Sequence, residues 1–165
     1  MTLEFKRVLC PVDLSGFSLE ALRLAVKVAE ASAATLDILH VIHNPFDEIY
    51  MSAITRTDPG LVDASADEAQ RGAKIMRVTE DQSEVLLKQF CHEVVKHHPK
   101  VRFHIRKGDP FEAILDGTED FLTDLVVLAT HGRTGIKRLV IGSVAEKIVR
   151  HAPCPVLTVK PHKTT

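Results

Sequence analysis

The chain has 165 residues, a length that predicts one domain with a substantial hydrophobic core. Its 45% hydrophobic and 26% charged residues are ordinary for a globular protein, and its formal net charge of -1 excludes an overall basic field for nucleic acid. Neither a membrane-spanning apolar run nor a signal peptide is recognisable, so we expect a cytoplasmic protein that binds neither membranes nor nucleic acid.

The predicted elements alternate between strands and helices. In chain order they are a strand at Arg7 to Val12, a helix at Leu19 to Ala33, a strand at Thr35 to Ile42, a helix at Asp67 to His97, a strand at Lys100 to Arg106, a helix at Phe111 to Thr118, a strand at Asp124 to Ala129, a helix at Val144 to Arg150 and a strand at Pro155 to Lys160. Residues 44–66 lack sustained periodicity and are predicted to form an irregular excursion with room for a short helix, and residues 161–165 a polar tail.

This alternation predicts an α/β fold: a single doubly wound domain, spanning residues 1–165, with a five-stranded parallel sheet and helices on both faces. Such sheets bind ligands beyond the carboxyl ends of their strands, where the strand order reverses. Asp13 follows the first strand, and Thr130 follows the fourth. We therefore expect a site between these two strand ends, provided that the order reverses there.

The cysteine and histidine patterns predict neither disulfides nor a metal site. The three cysteines are odd in number and far apart, which favours buried, reduced thiols: Cys10, Cys91 and Cys154. The nine histidines include no pair at ligand spacing that is joined to a third ligand, so no metal-binding residues are predicted.

The segment after the fourth strand has the composition of an anion site. Gly132 and Gly135 lie in a loop, and Gly142-Ser143 opens the last helix. Glycines let backbone N–H groups approach a ligand, and a helix N-terminus favours negative charge. The same loop holds three cations: Arg133, Lys137 and Arg138. The loop predicts a phosphate-bearing ligand, although an ordinary solvated loop has the same charge pattern.

Neither the P-loop pattern nor G-x-G-x-x-G is present. The spacing that is present, Ala129-x2-Gly132-x9-Gly142-Ser143, together with Pro11-Val12-Asp13, resembles the universal stress protein family. The resemblance extends over nearly the whole chain, and it implies a Rossmann-like fold of the adenine nucleotide alpha hydrolase type. Alanine at position 129 departs from the glycine of the family's nucleotide-binding pattern, which is tolerable where the local φ is negative.

The resemblance implies that ATP, or another adenine nucleotide, is bound together with Mg²⁺. Asp13 would accept hydrogen bonds from the ribose, although it also fits a turn residue that caps the first helix. An adenine slot is implied for three residues that equally suit strand core: Pro11, Val12 and Val41. Phosphates would meet residues that also suit turns and helix capping: Ala129, His131, Gly132, Arg133, Gly142, Ser143, Val144 and Ala145.

The predicted function is therefore a stress-response or regulatory module with little or slow hydrolysis. Asp13, His131 and Ser143 superficially resemble a hydrolase triad, but Gly142-Ser143-Val144-Ala145-Glu146 does not form the G-x-S-x-G elbow. No catalytic residue is predicted. A slow ATP hydrolase or an adenylyl-transfer enzyme is one alternative. A dimeric interaction module that binds no nucleotide is another, motivated by Ala129.

The last strand, Pro155 to Lys160, is predicted to lie at a sheet edge. An exposed apolar edge favours aggregation unless it is covered. The family resemblance implies that two such strands pair across a two-fold axis, which would cover both edges. We therefore expect a homodimer through the C-terminal strand, and a regulatory protein partner that the sequence does not identify.

Overall fold

The computed structural model describes residues 4–43, 80–98, 100–130 and 141–160. In chain order its elements are β1 (Arg7–Pro11), α1 (Gly16–Ala31), β2 (Thr35–Ile42), α2 (Glu80–Val95), β3 (Val101–Lys107), α3 (Pro110–Asp120), β4 (Leu125–Ala129), α4 (Ser143–His151) and β5 (Val156–Val159). The predicted excursion at 44–66, the predicted helical residues 67–79 and the tail at 161–165 lie outside the described residues.

The five strands form one parallel sheet in the order β3-β2-β1-β4-β5. The chain therefore winds outward from β1 in one direction to β3, and then in the other direction through β4 to β5. The order reverses between β1 and β4, where Val8 is level with Leu125. The predicted doubly wound α/β fold and the predicted place of the reversal are both confirmed.

Helices cover both faces of the sheet, as right-handed crossovers require. On the first face, α1 and α2 pack over a buried cluster that includes Cys10, Ile38 and Val127. On the second face, α3 and α4 pack over a smaller cluster built around Leu9 and Leu39, with Ile114 and Ile148 contributed by the helices. The alternation of side chains along each strand assigns successive residues to opposite clusters.

Local capping explains where two of the helices begin. α1 starts at Gly16, earlier than the predicted Leu19, because the Ser15 side chain accepts a hydrogen bond from the Ser18 N–H. α3 starts at Pro110 because the Asp109 side chain caps it, and proline suits the first helical position, where no intrahelical N–H bond is lost.

The cysteine prediction is correct for two residues of three. Cys10 and Cys91 are buried on the first face, and burial raises the pKa of both thiols, that of Cys91 to about 12. Cys154 is only partly buried, contrary to prediction. In the described part of the chain, no helix is long and apolar enough to cross a membrane, and no cluster of three His, Cys, Asp or Glu residues is arranged to hold a metal ion.

Candidate functional site

The candidate site lies at the carboxyl ends of β1 and β4, where the strand order reverses. The Val12 N–H donates to the Leu39 carbonyl over 2.9 Å, so β1 stays aligned with β2 up to this point. β1 and β4 run in register, with Leu9 level with Val126. Both strands run to the same edge of the sheet, where β1 ends at Pro11, two residues before Asp13, and β4 ends at Ala129, next to Thr130. The two strand ends that the sequence singles out are therefore neighbours.

Asp13 is held by the residue that caps α1. Its Oδ1 accepts from the Ser15 N–H over 3.0 Å and from the Ser15 hydroxyl over 2.5 Å. The Ser15 Oγ in turn accepts from the Ser18 N–H. Ser15 is thus the N-cap, and the alternative in which Asp13 itself caps the helix is wrong. Asp13 instead orients the cap, and the intervening Leu14 takes a left-handed φ of 62°.

Sequence reasoning missed Ser15 and His40 as supports of this strand end. The His40 Nδ1 lies 2.8 Å from the Val12 carbonyl oxygen and donates to it, since a carbonyl oxygen can only accept. His40 is buried in β2, among apolar neighbours. A lone histidine in an apolar strand and the Asp-x-Ser sequence at residues 13–15 were the available signals.

The predicted adenine slot is divided by the sheet. Val12 is buried in the cluster beneath α1 and α2, whereas Val41 packs against the cluster beneath α3 and α4. Pro11 alternates with Val12 along β1 and so shares the side of Val41. The three residues therefore do not form one apolar surface. Pro11 and Val41 remain together, and the Val12 side chain belongs to the core.

Ala129 is the last residue of β4, level with Val159 of β5. The described non-glycine residues with a positive φ are Leu14, Ala33 and Leu122, so Ala129 has the negative φ under which alanine is tolerable in place of glycine. The next residue, Thr130, is buried, and its N–H donates to the Val159 carbonyl over 3.0 Å. This end of β4 is held firmly against β5.

Gly142 returns the chain to the same place. Its N–H donates to the Thr130 carbonyl over 2.7 Å, and a Cβ at this position would lie 3.3 Å from that oxygen. Its φ of -57° suits any residue. A side chain at this position would therefore crowd the Thr130 carbonyl, and glycine relieves that contact. The predicted donation of the Gly142 N–H to a phosphate is not what the structure has, because that hydrogen is directed at Thr130.

The start of α4 presents backbone donors. The Glu146 N–H makes the first intrahelical bond, to the Gly142 carbonyl, so helical geometry leaves the N–H groups of Ser143, Val144 and Ala145 without an intrahelical acceptor. Gly142 is the N-cap and offers no side-chain oxygen. Ser143, predicted as a candidate N-cap outside the helix, is instead its first residue and is exposed. Donors and helix dipole together suit an anion.

The edge of the sheet at the carboxyl ends of β1 and β4 is here called the rim. It carries Asp13, the end of β4 and the start of α4. His131, Gly132 and Arg133 lie outside the described residues, as do Lys137 and Arg138, so the phosphate loop and the triad-like set with His131 stay predictions.

A model of the universal stress protein family matches residues 4–160 of this chain. A universal stress protein of Methanocaldococcus jannaschii is 28% identical over 160 residues, which cover 96% of this chain and 84% of the relative. A universal stress protein A homologue of Coxiella burnetii is 29% identical over 158 residues, covering 95% of this chain and 97% of the relative.

Solved structures share the fold. A second Methanocaldococcus jannaschii protein, solved in order to assign its function, superposes with a TM-score of 0.71 at 25% identity, over 98% of this chain and all of that one. A universal stress protein in complex with cAMP gives a TM-score of 0.55 at 24% identity, covering 95% and 98%. An Arabidopsis thaliana family member with AMP bound gives 0.57 at 20% identity, covering 96% and 93%.

Proposed function

Because the chain belongs to the universal stress protein family, we propose that it binds an adenine nucleotide, ATP with Mg²⁺ in the first place, on the rim between β1 and β4. One observation supports the proposal: Asp13 follows β1 and the N-terminus of α4 follows β4, the two strands between which the order reverses. A hydroxyl-binding carboxylate and an anion-binding helix start are the two groups that a nucleotide requires there.

Asp13 binds the ribose in this proposal. Its carboxylate is partly exposed and is oriented by Ser15, so it can accept hydrogen bonds from neighbouring hydroxyls. A hydrogen bond to a charged acceptor contributes about 1.5–3 kcal/mol. Pro11 and Val41, which share one side of the sheet, offer the apolar surface for the base.

The phosphates lie at the start of α4. Three backbone N–H groups and the exposed Ser143 hydroxyl meet them, and the dipole of α4 favours their charge. His131, Gly132 and Arg133 contribute from the loop that joins β4 to α4. The complexes of two structural neighbours, one with cAMP and one with AMP, support an adenine nucleotide as the class of ligand.

The bound nucleotide acts as a signal in this proposal. Occupancy orders the loop between β4 and α4 and changes the surface that a regulatory partner meets, with little or slow hydrolysis. The protein works in the cytoplasm, where unpaired cysteines stay reduced.

We further propose a homodimer through the β5 edge. β5 is an uncharged strand at one end of the sheet, and Leu157 on it is partly exposed. Val149 on α4 adds a second exposed apolar side chain. Pairing two β5 strands across a two-fold axis covers both edges.

Isothermal titration of nucleotide-stripped protein with ATP and Mg²⁺ tests the site. Near-stoichiometric binding is expected, and Asp13→Ala should weaken it about tenfold to a hundredfold, which corresponds to the loss of a charged hydrogen bond. Gly132→Val should also weaken binding, because the added side chain would obstruct the proposed contact between this residue and the phosphates. Asp116→Ala, which removes an exposed carboxylate from α3, is the matched control and should bind as the parent does.

Absence of binding by the folded parent protein would overturn the nucleotide proposal. The chain would then be an interaction module with the same fold, in which Ala129 or the loop has closed the site. Rapid, metal-dependent turnover of ATP would instead show that the protein is a hydrolase and not a binding module.

A further inference from the structure

The two edges of the sheet differ in chemistry. Among the described strands, β3 and β5 each pair with a single neighbour, so both are edges. β5 carries no charged residue from Val156 to Val159. β3 carries a basic residue at every second position, here called the basic row: Arg102, His104 and Arg106. Self-association through one edge leaves the other edge available for further strand pairing unless something prevents it.

The basic row is anchored by a carboxylate in the neighbouring strand. Asp37 of β2 is 0% exposed, and its Oδ1 and Oδ2 accept from the Arg102 Nε and Nη2 over 2.7 and 2.8 Å. The His104 Nε2 donates to the same Oδ1 over 2.7 Å. Burial alone would raise the pKa of Asp37, but the bonds from His104 and Arg102 outweigh it and lower that pKa. The carboxylate is therefore charged and satisfied.

The other contacts of the row are with Asp120, the last residue of α3, and with Phe121, which follows it. The Arg106 guanidinium pairs with Asp120 and lies 5.0 Å from the centroid of the Phe121 ring. His104 stacks on the same ring, with centroids 4.0 Å apart. All three basic side chains thus project on the face that α3 covers, and Arg102 keeps 42% of its side chain in water.

Their orientation matters for strand pairing. A second sheet that joined the β3 edge would bring its own helix layer over the same face and would desolvate the half-exposed Arg102. Since Asp37 is already satisfied by Arg102 and His104, the charges of the incoming strand would gain no free partner from it. Inward-facing charged residues on an edge strand are a known means of preventing edge-to-edge association.

We propose that the basic row, anchored by Asp37 and Asp120, closes the β3 edge to strand pairing and confines self-association of this chain to the β5 edge. The second half of this statement rests on the proposed β5 dimer, and the first half does not. The consequence is a closed assembly. A chain with two self-complementary edges would link through β5 and β3 alternately and would grow without limit.

The test removes the row together with its anchor, because a buried Asp37 without partners would be destabilising. The cleared-edge variant is Asp37→Val, Arg102→Thr, His104→Thr and Arg106→Thr. The matched control is Asp37→Val, Arg102→Lys and His104→Lys, which removes the Asp37 network but keeps a cation at all three positions of the row. Light scattering after size exclusion gives the molar mass of each folded protein over a range of concentrations, and circular dichroism checks the fold.

With a dimeric parent, the cleared-edge variant should form tetramers and longer species that grow with concentration, while the lysine control stays dimeric. Adding Leu157→Lys, which blocks β5, should return the cleared-edge variant to a dimer. If the parent is a monomer, the β5 proposal fails, and the cleared-edge variant should become a dimer. This second outcome separates the two proposals.

A folded cleared-edge variant with the same mass as its parent at every concentration would overturn the inference. If that variant does not fold, the polar set Asp37→Asn, Arg102→Gln, His104→Gln and Arg106→Gln replaces it, with the same expectation of increased mass. A lysine control that associates as strongly as the cleared-edge variant would also contradict the inference, because the network rather than the charge would then be responsible.

Discussion

The backbone N–H of Gly142 donates to the carbonyl of Thr130 over 2.7 Å, and this bond closes the loop between β4 and α4 at its base. Thr130 and Gly142, twelve positions apart in the sequence, are therefore held together at one point. The approach depends on the missing side chain at 142, because a Cβ there would lie 3.3 Å from the Thr130 oxygen. In the proposed complex, this bond sets the distance between the end of β4 and the phosphate donors of α4.

Gly142→Ala should therefore weaken nucleotide binding by about threefold to tenfold, with a stability loss of about 1 kcal/mol. The φ of -57° adds no strain, so the effect comes from the displaced Thr130 carbonyl alone. Titration calorimetry and thermal unfolding measure the two quantities. Gly16→Ala, at a helical glycine with nothing within 4 Å of the added Cβ, should keep or slightly raise the melting temperature. Unchanged ATP affinity in Gly142→Ala would contradict this role.

Ser15→Ala should destabilise the protein by about 1 kcal/mol, because it removes the side-chain cap of α1. The same change releases Asp13 and should lower the affinity for ATP, but should hardly alter the affinity for 2′,3′-dideoxy-ATP. Comparing the two ligands by calorimetry isolates the ribose contribution. Ser15→Thr keeps both hydrogen bonds and should restore parental behaviour. An equal loss for both nucleotides would show that Ser15 acts only as a helix cap.

Asp37→Asn should lower the free energy of unfolding at neutral pH by about 2 kcal/mol, since it removes a charged acceptor of three hydrogen bonds. The pKa of Asp37 is lowered in the folded state, although its burial alone acts in the opposite direction. Its contribution is therefore complete above the ordinary aspartate pKa and is lost as the pH falls through the lowered folded value.

Urea unfolding from neutral to strongly acidic pH measures this. The difference in the free energy of unfolding between the parent and Asp37→Asn should be constant near neutral pH and should disappear only in acid. Asp120→Asn is the control, because Asp120 is 61% exposed and its ion pair with Arg106 should contribute little. A difference that disappears near neutral pH would assign the effect to another group.

The thiols should differ in reactivity. Burial raises the pKa of the Cys10 and Cys91 thiols, so neither forms a thiolate at pH 8 or meets a reagent in the folded protein. Cys154 is partly exposed, and its raised pKa slows it without shielding it. A disulfide reagent should modify one thiol slowly in the native state and three after unfolding. Rapid native modification of a second thiol would contradict the burial of Cys10 and Cys91 in the cluster on the first face of the sheet.

Local spacing in the sequence determined the alternation of strands and helices, because side-chain periodicity depends on near neighbours alone. Thr35 to Ile42 is predicted without error, and most other boundaries lie within three residues of the observed ones. The glycine spacing, taken together with Pro11-Val12-Asp13, also indicated the family, since turns and close approaches demand particular residues at particular positions.

Only the tertiary structure decided which side chains meet. Arg102 and Asp37 are 65 residues apart, and their pairing follows from the register of β2 and β3. Val12 and Val41 lie on opposite faces of the sheet. The position of the α4 N-terminus beside the end of β4 directs the Gly142 N–H to the Thr130 carbonyl. Cross-strand partners depend on how whole helices pack against the sheet. That packing is decided by many contacts between residues far apart in the sequence, so no local sequence pattern predicts it.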